Sequence, residues 1–205
     1  VKNAVVVSTP YNNDDANHVG GIVGYLSAEN EAYVMNSSVK DATITGYRDV
    51  AAIAGTANKA AVVSGNNVAN VTVVADQTAE YKEEKAANVD AIAGRVDAKA
   101  TVAENEIGDN VVVYILVKNA KQLQNALNFV NAGTTEIRFA ADIKGNVTVD
   151  QQEGKNIVIN GDGKMYDGTI TVDGNARNTG AETLVIKSVN FKTDKQEYVY
   201  FVEQN

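Results

Sequence analysis

One stretch of this sequence repeats, and the repeat limits the fold more than any other feature. Four segments share a pattern: VKNAVVV from Val1, VKDATIT from Val39, VANVTVV from Val68 and IGDNVVV from Ile107. Between them lie VGGIVG from Val19, VAAIAG from Val50 and VDAIAG from Val89. Each of these leads into an Ala- and Val-rich segment ending at Asn36, Asn66 or Asn105. A unit this short cannot bury its own apolar face, but stacked units cover one another and exchange backbone hydrogen bonds between neighbours. Val, Thr, Ala, Asn and Gly dominate, and there is one proline (Pro10). β-branched residues favour strands, while Asn and Gly suit the left-handed backbone of tight turns. The expected fold is all-β: a right-handed parallel β-helix, or solenoid, with the asparagines stacked as amide ladders.

VGGIVG, with its echoes VAAIAG and VDAIAG, resembles the GLUG repeat of large surface proteins of gut bacteria and of bacterial proteases that cleave immunoglobulin A. Gly20, Gly21, Ile22 and Gly24 match the motif in the first copy, whereas Ala51–Ala52 and Asp90–Ala91 replace the leading glycine pair in the others. The resemblance spans about residues 1–110 and implies architecture rather than activity.

A helix divides the chain. Asn119 is an N-cap candidate with Gln122 three residues on, a capping-box pattern. Leu123, Ala126, Leu127 and Val130 then recur at helical spacing, and Gly133 is the expected C′ residue. The spacing predicts a helix over 119–132, with Leu123, Leu127 and Val130 buried near Ile137 and Phe139. Short strands follow, and Ile137, Ile157 and Leu184 are expected to open equivalent coils 20 and 27 residues apart. INGDGKMYDGTITV, residues 159–172, is similar to the coil sequence of pectate-lyase-like β-helices. That resemblance implies that the helix covers the exposed end of a coil. The expected domains are 1–115, GLUG-like repeats, and 116–205, helix-capped pectate-lyase-like coils. The chain opens in strand-like VKNAVVV and closes in EYVYFVEQN, so we read it as a piece of a longer protein, truncated at its C-terminus.

Candidate chemistry is sparse. The net charge is −8, and residues 1–115 carry 15 acids against 8 bases. With no basic stripe bearing aromatics, nucleic acid and membrane insertion are not expected. Without cysteine there are neither disulfides nor thiolate metal sites. NGDGKMYDG suggests a calcium loop, yet counting from Asp162 puts Asp173 twelfth and Lys164 and Tyr166 at alternate places, which fails the EF-hand pattern. Asp142, Asp162, Asp167 and Asp173 form no contiguous carboxylate motif, and Arg138 and Arg177 sit in no lyase motif. His18 is the only histidine, so histidine-pair metal sites are excluded. Asn36, Asn70 and Asn146 begin N-x-Ser/Thr sequons, read as chance matches in an Asn- and Thr-rich chain. No catalytic residue, metal or cofactor is expected.

Two polar insertions, YNNDDANHVGG and QTAEYKEEKAAN, join the same pair of segments in different repeats. Insertions at one place in a repeat emerge on one face. His18 is read as part of the first solvated loop. Tyr11, Asp14, Asp15, His18, Tyr81, Glu83 and Glu84 are therefore the candidate ligand-binding residues, with Glu80 adding charge. The expectation is a non-catalytic, extracellular or cell-surface binding, adhesion or scaffold protein whose partner is a glycan or a protein. The alternatives are the N-terminal part of a polysaccharide lyase or hydrolase with its active site elsewhere, and a structural fibre or virion shaft. The oligomeric state is left open.

Overall fold

The computed structural model describes residues 1–8, 17–79, 87–130, 133–151, 154–174, 183–192 and 199–203. It is mostly β, with parallel strand pairing, and holds one α-helix among the described residues. The chain divides into two compact units, one running from Val1 to Tyr114 and the other from Ile115 onward.

The first unit comprises β1 (Val5–Val7), β2 (Asn17–Gly20), β3 (Val23–Met35), β4 (Ser38–Gly46), β5 (Arg48–Ala51), β6 (Ala54–Ser64), β7 (Asn67–Asp76), β8 (Val89–Asp90), β9 (Ala93–Val96), β10 (Thr101–Ala103) and β11 (Glu106–Ile107). They form three parallel sheets: β1-β4-β7 with β11 beside β7, β2-β5-β8, and β3-β6-β10 with β9 beside β6. The register follows the repeats residue for residue. Val39 pairs with Val68, Val68 with Ile107, Val19 with Val50, and Val50 with Val89.

Alternation along each strand sends one column inward. Val39, Ile44, Val50, Ile53, Ala57, Ala61, Val63, Val68, Val71 and Val73 are all fully buried. Sheets carrying so many Ala and Val side chains approach closely, which explains the glycine in each VxxIxG segment. A Cβ on Gly24 would lie 2.3 Å from the His18 carbonyl oxygen. On Gly55 it would lie 2.4 Å from the backbone of His18 and Val19, and on Gly94 2.5 Å from that of Val50. Backbone passes where a side chain would be, so only glycine fits.

Residues in the left-handed region, some inside strands and some between them, stack in columns. Asn3, Asp41 and Asn70 form one column, Asn36, Gly65 and Glu104 a second, and His18 and Asp49 belong to a third. Amide ladders tie these corners together. Asn66 Oδ1 accepts from Ser37 N at 3.0 Å, and Asn105 Oδ1 accepts from Asn66 N at 3.0 Å and from Asn66 Nδ2 at 2.9 Å. Asn110 Nδ2 donates to Asn70 and Asn70 Nδ2 donates to Asp41, each at 3.0 Å. The ladders correct one sequence alignment. Asn36 does not stack with Asn66 and Asn105; its counterparts are Gly65 and Glu104, and Ser37 occupies the ladder position.

The strands that follow are β12 (Val112–Val117), β13 (Gly133–Phe139), β14 (Ile143–Lys144), β15 (Val147–Gln151), β16 (Lys155–Asn160), β17 (Met165–Asp167), β18 (Ile170–Gly174), β19 (Leu184–Lys187), β20 (Asn190–Phe191) and β21 (Val199–Glu203). The sheets are β12-β13-β16-β19, β14-β17-β20 and β15-β18-β21, all parallel. Ile115, Ile137 and Ile159 form one buried column, at most 1% exposed. Thr135, not Ile137, pairs with Ile157, so that step is 22 residues rather than 20; Ile157 pairs with Leu184, 27 on, as expected. Phe139, Tyr166 and Phe191 stack with ring centroids 6.1 and 6.0 Å apart. Burial raises the Tyr166 phenol above its ordinary range, and its hydroxyl donates to the Thr169 carbonyl at 3.3 Å.

Helix α1 (Ala120–Asn128) is shorter than the periodicity suggests. Asn119 Oδ1 accepts from Gln122 N at 2.9 Å, while Gln122 Oε1 accepts from Lys118 N at 2.9 Å, one residue before the usual capping-box partner. The helix stops at Phe129, and Gly133 is not its C′ residue but the first residue of β13. Leu123, Leu127 and Val130 are buried as expected. α1 packs on β15. Gln124 makes a rung there: its Nε2 donates to Thr148 O at 2.9 Å and its Oε1 accepts from Thr148 N at 2.7 Å. β15 is an edge strand, and this amide pairs with it as a neighbouring strand would.

Candidate functional site

Of the seven candidate residues, the structure describes His18 alone; Tyr11, Asp14, Asp15, Tyr81, Glu83 and Glu84, and Glu80 beside them, lie outside the described residues. The ends of both insertions are in register, since Val7 pairs with Thr45 and Thr45 with Val74, while Val19 pairs with Val50 and Val50 with Val89, so both leave and rejoin the sheets at one corner. The start of the second is anchored by Gln77, 2% exposed, whose Nε2 donates to the Tyr47 carbonyl.

His18 is not a solvated loop residue. It lies in β2 with φ 61°, and its side chain is 29% exposed. The repeat register sets it over Asp49, which has φ 51° and a side chain 1% exposed. Asn88, one residue before Val89, follows in the same column. Asn88 Nδ2 donates to Asp49 Oδ1 at 2.6 Å. Asp49 Oδ2 has no well-aligned hydrogen bond, but His18 Nδ1 lies 3.2 Å away. The same nitrogen is 2.7 Å from Thr56 Oγ1, and Thr56 is 2% exposed. The edge of the Tyr25 ring meets the imidazole at 4.8 Å between centroids.

Carboxylate and hydroxyl thus converge on one imidazole nitrogen. A nucleophile relay needs them on opposite nitrogens, so this geometry does not activate Thr56. Among the described residues no group of three or more His, Cys, Asp or Glu could hold a metal ion.

The exterior of β3 adjoins this corner. Tyr25 and Tyr33 are 49% and 53% exposed, and Ile22 and Met35 are also exposed. Asn58 donates to the Tyr25 hydroxyl, Glu29 pairs with Lys59, and the Tyr33 hydroxyl donates to Glu31. The Glu29 carboxylate raises the Lys59 amine, and the hydrogen bond to Glu31 raises the Tyr33 phenol.

In the second unit the four aspartates are dispersed. Asp142 Oδ1 accepts from Met165 N at 2.8 Å, Asp162 makes a turn at φ 50°, and Asp167 lies 3.3 Å from Lys192. Asp173 pairs in register with Asp150. Arg138 Nε lies 3.0 Å from Glu136, and Arg177 lies outside the described residues. Of the sequons, Asn70 belongs to a ladder, Asn36 makes a turn, and Asn146 Oδ1 accepts from Thr169 N at 2.9 Å.

Reasoning from the sequence missed Asp49, Thr56 and Tyr25. A signal for the first was present: His18, Asp49 and Asn88 each directly precede the valine that opens a VxxI segment. No family model, curated protein or solved structure matches this chain.

Proposed function

We propose that this chain is part of a right-handed parallel β-helix, secreted or displayed at a cell surface, acting as a non-catalytic binding or scaffold element toward a glycan or protein. Right-handedness is the rule for parallel crossover connections. The observation that carries the functional reading is the exterior of β3, where two half-exposed tyrosines flank the Glu29–Lys59 pair. Tyrosine offers a large rigid face with a polar tip, suited to stacking on a sugar ring or a partner side chain. The stacked repeats give that face a rigid base, because each strand is held by a neighbouring repeat.

A glycan array probed with the chain tests this. The expected result is binding to a limited set of glycans, lost at least tenfold in Tyr25→Ala/Tyr33→Ala with the melting temperature retained. Binding unaffected by both substitutions would remove β3 as the site, and no binding to glycans would leave the protein-partner form of the proposal, tested by pull-down with the same variant.

A further inference from the structure

We propose that His18 and Asp49 form a proton-dependent fastener that ties the first repeat to the second. Asp49 is a carboxylate with a side chain 1% exposed, and a buried charge is costly unless both oxygens are hydrogen-bonded. Asn88 Nδ2 serves Oδ1 at 2.6 Å. Oδ2 accepts no hydrogen bond, and the imidazole Nδ1 lies 3.2 Å from it, an ion-pair distance when the ring is protonated. With a proton on Nδ1, that N–H donates to Thr56 Oγ1 at 2.7 Å, and Asp49 Oδ2 meets the ring as a charge partner rather than a hydrogen-bond acceptor. Without it, Thr56 donates to Nδ1 and Asp49 Oδ2 faces a lone pair. The imidazolium carries protons on both nitrogens and sets a positive charge opposite the carboxylate.

His18 is the only histidine, and histidine is the side chain whose ordinary titration falls between pH 5 and 8. Among the described residues, Asp49 of β5 and Tyr25 of β3 are titratable groups set against it, and Thr56 of β6 is a neutral hydroxyl. A protonated ring 3.2 Å from the buried Asp49 carboxylate makes an ion pair that the unfolded chain lacks. By linkage the fastener strengthens as pH falls from 8 toward 5.5 and weakens as pH rises.

The local reporters are the backbone bonds between the two repeats beside His18: Gly21 N to Ala51 O, and Ile22 N and Val23 N to Ile53 O. Hydrogen exchange of these three amides, corrected for intrinsic rates, should show protection about tenfold greater at pH 6 than at pH 8, tenfold being about 1.4 kcal/mol. The difference should vanish in His18→Gln and in Asp49→Asn. Equal protection at the two pH values, or the same pH dependence in a folded variant, overturns the proposal. The wild-type chain supplies a check that needs no variant: the 15N shifts of His18 should show both ring nitrogens protonated at pH 6 and one of them deprotonated at pH 8. A ring in the same protonation state at the two pH values also overturns it.

Discussion

At the scale of single residues, position within a turn decides what each side chain does. Asn66 is 1% exposed and bridges three repeats through its side-chain amide, whose Nδ2 donates to Val34 O and Asn105 Oδ1 and whose Oδ1 accepts from Ser37 N. Asn66→Ala leaves buried backbone groups unpaired, and a loss of about 1–3 kcal/mol is expected in urea unfolding. Asn36, one place out of the ladder, makes a turn at φ 52°. Glycine adopts that backbone freely, so Asn36→Gly should change stability by no more than about 1 kcal/mol. The contrast measures the corrected alignment: equal losses in the two variants would return Asn36 to the ladder. Gly55→Ala is expected to cost several kcal/mol, since its Cβ would lie 2.4 Å from the backbone of His18 and Val19, which cannot rotate aside. Glu136 gives a pH signature. Burial opposes its ionisation, but the Asn160 hydrogen bond and the Arg138 and Lys187 cations outweigh that and hold the carboxyl below its ordinary range. A lowered folded-state value contributes stability above the unfolded carboxyl range and loses it as pH falls through the folded value. Between pH 5 and 2.5 the melting temperature of the wild type should therefore fall more steeply than that of Glu136→Gln.

At the scale of elements, strands were more legible than corners. Period-two alternation and matching segments placed the pairs Val19–Val50–Val89 and Val39–Val68–Ile107, because one slip would turn every side chain to the wrong face. The 20-residue step between Ile137 and Ile157 was misjudged because β16 carries two isoleucines on one face, Ile157 and Ile159, and alternation fixes register only to within two residues. The helix was legible in its cap and apolar face, but not in its end. Gly133 suggested a stop signal, whereas the chain had already left the helix at Phe129 to begin β13. Nothing local in the sequence could show Gln124 pairing with Thr148, 24 residues away. Leu127→Asp puts a charge into the buried face of α1, and a loss of several kcal/mol is expected, read as a fall in melting temperature. A melting temperature equal to the wild type would mean that the helix does not hold β15. The His18 corner was hidden for a related reason. Its partners lie 31 and 38 residues along the chain, and a motif search for metal or relay spacing has no reason to join His18 to an aspartate in the next repeat.

At the scale of the whole molecule, the account rests on repeats that stack in parallel, each strand paired with its counterpart in the next. That arrangement sets Asp49 under His18, aligns the two insertion points at one corner and puts Tyr25 and Tyr33 on one exterior strand. An antiparallel sandwich could satisfy the same alternation of apolar residues, but it would dissolve the ladders and the fastener together. Cross-strand proton contacts in a labelled sample separate the two directly. In the parallel arrangement the contacts keep a constant offset along a strand pair: Thr43 with Thr72, Ile44 with Val73 and Thr45 with Val74, all 29 residues apart, and 31 for Val19 with Val50. Contacts whose offset changes by two with each step along the strand would mean antiparallel pairing and would contradict the account.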